Sequence, residues 1–99
     1  MKNDYLKQLF GGYFHQDWDI EGDTDADVVA AFARKLSQDQ IKATIDELDD
    51  LMRRFPDNEL AIERSLKELG SEYYYQADGL SAMDWLSRIK NLLVKIVYY

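Results

Sequence analysis

The sequence predicts an all-α fold, a compact bundle of about five short helices forming one domain over residues 1–99. Three observations carry that expectation. Apolar residues recur at three- and four-residue spacings along most of the chain. Ser and Thr residues stand three places before an Asp or Gln at several points, the spacing of a helix start. The one strand-like stretch, Tyr73-Tyr74-Tyr75, is too short and isolated to build a sheet. Leu, Ile, Val and Phe number 26 of 99 residues, enough for a single core without staples.

The elements follow in order. Tyr5/Leu6, Leu9/Phe10 and Tyr13/Phe14 form a first apolar stripe. Gly11-Gly12 costs about 1 kcal/mol per glycine inside a helix, so the first helix should stop or distort near Phe10. Thr24 with Asp27 caps a short helix that uses Val28, Val29, Phe32 and Leu36. Ser37 with Gln40 opens the most regular helix, Ile41, Ile45, Leu48, Met52 and Phe55, which Pro56 ends. Asp57 is the expected cap of a fourth helix, with Leu60, Ile62, Leu66 and Leu69 inside and Gly70 as its stop. Ser81 with Asp84 opens the last helix, whose inner face is Met83, Leu86, Ile89, Leu93 and Ile96/Val97.

Charge narrows the function. The net charge is −7, and residues 1–27 account for −5 of it: Lys2 and Lys7 stand against Asp4 and six carboxylates in DWDIEGDTDAD (17–27). Such a chain repels phosphate backbones, so nucleic acid is not the expected ligand, and a basic partner is. The absence of cysteine excludes disulfides and thiolate metal sites. No apolar run approaches the roughly 18 residues of a membrane span, and MKNDYLKQLF lacks the features of an export signal. The expected location is the cytoplasm, as a monomer, with no membrane contact.

Chemistry has few candidates. From Asp17 the chain reads as an EF-hand loop through nine positions, with acids at 1, 3, 5, 7 and 9 and Gly22 at 6. It fails at position 12, where Val28 replaces the bidentate Glu, and at position 8, where Thr24 replaces an apolar residue. An acidic loop flowing into a helix cap is the ordinary explanation, and neither a metal nor a cofactor is expected. His15 is the only histidine, and no nucleophile or contrasting carboxylate pair marks a catalytic centre, so the chain is not expected to be an enzyme. A structural histidine between the first helix and the loop is the plainer reading of His15. Tyr13, Phe14 and Trp18 should anchor the loop, whereas three consecutive tyrosines cannot all point inward. An exposed tyrosine beside carboxylates suits a protein interface.

The string GGYFHQDWDIEGDTDADVVAAF (11–32), with YFHQDWD at Tyr13–Asp19, resembles the opening of a family of immunity proteins from bacterial contact-dependent growth inhibition systems. LGSEYYYQADGLSAMDWL (69–86) is similar to that family's tyrosine-rich segment, though Gln76-Ala77 stands where the pattern has a proline. The middle, 37–66, shares only its amphipathic character. The resemblance implies a cytoplasmic antidote that binds and blocks the C-terminal toxin domain of a neighbour-delivered effector, often a nuclease, without catalysis. A motif shared by antidotes to different toxins should be scaffold, which assigns Tyr13, Phe14, His15, Gln16, Asp17 and Trp18 to the fold. Partner contacts are then expected at Asp19, Glu21, Asp23 and Asp25, with Tyr74, Tyr75 and Asp78 as second choices. Two other readings compete: a small acidic calcium-binding helical module, and a nucleic-acid mimic.

Overall fold

The first apolar stripe winds into α1 (Asp4–Leu6) and continues in π geometry over Lys7–Gly11 in the computed structural model, which describes residues 4–20 and 22–99. The glycine pair thus distorts the helix, and the backbone N–H groups of Tyr13 and Phe14 both donate to the Leu9 carbonyl. A 3-10 turn, Trp18–Ile20, leads to α2 (Asp25–Ala33), where Thr24 and Asp27 form the expected reciprocal cap. Ser37 and Gln40 cap α3 (Gln38–Arg54) in the same way. After α4 (Glu59–Glu68), a 3-10 turn at Tyr75–Asp78 leads to α5 (Ala82–Tyr98), capped by the Ser81 hydroxyl. There is no strand among the described residues, and the all-α expectation holds.

Four positions differ from the sequence reading. Asn58, not Asp57, caps α4, its side-chain oxygen accepting from Ala61 N at 3.1 Å, while Asp57 turns the chain at φ 73. The chain must reverse tightly after Pro56, and Asp tolerates that left-handed geometry better than most residues. Leu60 is 69% exposed, because Ile62 and Leu66 take the inner face of α4. On α5 it is Val97 that reaches the core, and Ile96 faces outward. Trp85, absent from the expected inner face, is completely buried.

Helix α5 is the centre of the bundle and packs against α2, α3 and α4. Its Trp85, Leu86, Ile89 and Leu93 meet Phe10, Phe32, Leu48 and Ile62 in one cluster. Polar groups tie the outer helices together. Glu47 on α3 accepts from the backbone N–H of Tyr5 and Leu6 at 3.1 Å each, satisfying orphan donors at the start of α1. Burial nevertheless outweighs those two bonds and holds the Glu47 carboxyl above its usual range. Glu59 on α4 does the same for α5, accepting from Ala82 N at 2.6 Å and Met83 N at 3.4 Å. Lys90 and Asp49 pair at 2.7 Å between α5 and α3. Part of the acidic excess is therefore spent inside the fold, as links between helices.

Candidate functional site

Two glycines bring the distant motif segments together. Gly70 ends α4 with φ 96, and a Cβ there would lie 2.9 Å from Gly11 Cα; a Cβ on Gly11 would lie 2.7 Å from the Leu69 carbonyl oxygen. Only glycine allows this approach from both sides. It lets Glu72 N donate to the Phe14 carbonyl at 2.6 Å, so residues 13–18 and 72–75 run as neighbours.

Their side chains close around Trp85. Tyr73 and Tyr75 stack on the indole at centroid distances of 5.1 and 5.3 Å, and Phe14 meets it edge-on at 5.0 Å. Trp18 in turn sits edge-on to Tyr73 at 4.8 Å. The indole N–H donates to Asp25 Oδ2 at 3.0 Å. Arg88 completes the arrangement, its Nε donating to Oδ2 at 2.8 Å and its Nη2 to Oδ1 at 2.7 Å. Burial pushes the Asp25 carboxyl up, but the hydrogen bonds from Arg88 and Trp85, with the Arg88 charge, outweigh it and leave the group below its ordinary value. The Arg88 guanidinium is correspondingly raised, first by its bond to Asp25. Tyr73 is held protonated by burial and by its 2.6 Å bond to Asp78 Oδ2.

The YFHQDWD side chains divide by exposure. Phe14 is fully buried, Trp18 and Tyr13 are half-buried, and Tyr13 lies edge-on to Phe32 at 5.5 Å. His15 turns its Nδ1 to accept from Asp17 N at 3.0 Å, while Gln16 and Asp17 themselves are exposed. Asp19, Asp23 and Asp78 are exposed; Glu21 lies outside the described residues. Asp25 departs from its expected place. It is 2% exposed and paired with Arg88, so its charge is not on the surface. Tyr75 is likewise buried, in its stack on Trp85, whereas Tyr74 is 68% exposed.

This geometry also counts against the calcium loop. Asp25, its ninth position, is committed to Arg88 and Trp85, and the Asp27 carboxylate accepts from Asp23 N and Thr24 N. Gly22 packs directly on the Asp27 side chain, so its glycine serves the helix cap.

The Tyr73 ring separates two surface depressions. One, of about 420 Å³, is lined by Asp23, Thr24, Asp25, Asp78, Leu80 and Arg88. The other, of about 220 Å³, lies between α4 and the tyrosine run and includes Glu63, Ser71, Glu72, Tyr74 and Tyr75. The first unites Asp23 and Asp78, which the sequence placed in separate blocks. Arg88 and Trp85 escaped sequence reasoning as members of this site, since nothing local ties them to Asp25.

A family model described as CdiI immunity protein matches residues 2–93. The chain belongs to that family. No curated protein and no solved structure gives a significant match. Membership in the CdiI immunity family implies toxin neutralisation and a toxin as cognate partner. Both segments that carry the resemblance, 11–32 and 69–86, contribute to the aromatic cluster around Trp85. No helix among the described residues is long and apolar enough to cross a membrane.

Proposed function

We propose that this CdiI immunity protein, acting as a cytoplasmic single-domain monomer without catalysis, binds and blocks the C-terminal toxin domain of a contact-dependent growth inhibition effector. The observation that supports this reading best is the depression in which Asp23 and Asp78 face a common surface; Asp19 is exposed as well. Asp25 and Arg88 neutralise each other in its wall, so the outward charge is that of Asp23 and Asp78. A nuclease domain carries a basic groove for its substrate, and an acidic face competes with phosphate for it. Opposite charge also accelerates association, which favours an antidote that meets an already active toxin. Asp19, Asp23 and Asp78 are the proposed contacts, with Glu21 joining them by its place in the same acidic run.

The test is co-purification with the toxin domain encoded immediately upstream, followed by rescue of cells expressing that domain. Stable complex and restored growth are the expected results. Absence of both would overturn the assignment.

A further inference from the structure

The second depression differs from the first in its chemistry. Glu63 and Glu72 line it, and neither carboxylate has a hydrogen-bonded or ion-paired partner among the described residues. Glu63 is half-buried, whereas Glu72 is exposed. Ser71 Oγ, buried at the same place, also lacks a partner among the described residues. The wall is aromatic: Tyr73 and Tyr75 are fixed in their stacks on Trp85, while Tyr74 stands 68% exposed at the rim. Lys67 is the one cation lining the groove among the described residues, and it is exposed on a flexible stem.

Acceptors in excess beside rigid aromatic rings fit a planar, multidentate cation. A guanidinium offers five donors, forks onto carboxylates and stacks on aromatic faces; an ammonium is a more strongly hydrated point charge. From this charge complementarity we infer that the groove between α4 and residues 71–76 receives an arginine side chain of the toxin domain, held by Glu63 and Glu72 and stacked on Tyr74. The inference rests on the toxin-binding reading above and adds to it a second contact on the other side of Tyr73. Arginine and tyrosine are also the residue types that concentrate binding energy in interfaces.

The experiment measures binding calorimetrically, using the upstream toxin domain isolated from the co-purified complex. Glu63→Gln and Tyr74→Ala should each raise Kd at least tenfold while leaving the melting temperature unchanged, and Glu63→Lys should raise it further. One toxin arginine, replaced by lysine, should weaken wild-type binding by a similar factor and add little to the loss in Glu63→Gln. If wild-type protein binds and the groove variants bind within twofold of it, the groove inference is wrong and the toxin-binding reading stands. If the variants instead abolish self-association in sedimentation velocity with toxin affinity intact, the groove holds a second copy of this chain and the inference is overturned. If wild-type protein fails to bind, both readings fall together.

Discussion

Replacing Asp25 by alanine removes three hydrogen bonds at once, from Trp85 Nε1 and from two nitrogens of Arg88. The two donors respond differently. The Trp85 side chain is fully buried, so its N–H is stranded, a loss of about 1–3 kcal/mol. The Arg88 side chain is 45% exposed and rehydrates, so its share is on the surface scale, about 0–1 kcal/mol. Together they put Asp25→Ala at about 2–3 kcal/mol of destabilisation, or roughly 10–20 °C in melting temperature for a domain of this size. Asp25→Asn keeps an acceptor for the indole and should lose about half as much. The pH dependence follows from the depressed carboxyl. Its contribution is present above the unfolded value near 4 and is lost as pH falls through the lower folded value. Urea unfolding at neutral pH and in a series below pH 4 measures both effects. A loss under about 0.5 kcal/mol in Asp25→Ala, or an acid limb unchanged in Asp25→Asn, would show that Asp25 does not hold Trp85 and Arg88 in this way.

Other substitutions probe separate parts of the fold. Gly70→Ala places a Cβ against Gly11 Cα at φ 96 and should cost about 2 kcal/mol, whereas Gly12→Ala meets open space at φ −95 and should stabilise by about 0.5 kcal/mol; thermal melts compare the two. Glu59→Ala strips the carboxylate from the start of α5 and should cost about 1 kcal/mol in urea unfolding. Glu47→Gln should flatten the pH profile in the opposite sense to Asp25→Asn, because a raised carboxyl favours the fold at low pH and loses that contribution as pH rises through its folded value. Trp18→Ala, at a half-buried ring against Tyr73, should cost about 1–3 kcal/mol by thermal denaturation, below the full cost of a buried tryptophan.

Local signals carried most of the helical framework. Thr24/Asp27, Ser37/Gln40, Ser81 and the Gly11-Gly12 distortion lie where spacing and propensity put them, because each depends on neighbours within one turn. The role of Asp25 is hidden in the sequence for the opposite reason. In sequence it is one acid among six, and only the packing of α2 on α5 sets it beside Arg88 and Trp85. Glu47 and Glu59 are similar: as isolated residues they read as solvated helix faces, and in the fold each satisfies the start of another helix. The tyrosine run was legible only in outline. That one ring must face water follows from three in succession, but the choice of Tyr74 is made by Trp85, on which both Tyr73 and Tyr75 stack.

If an acidic face of this immunity protein engages its toxin, the association rate must depend on salt. With the upstream toxin domain in stopped flow, association should slow steeply as salt rises, and the double variant Asp19→Lys with Asp23→Lys should lose at least tenfold at low salt at unchanged melting temperature. Association that is indifferent to salt and to both substitutions would contradict it.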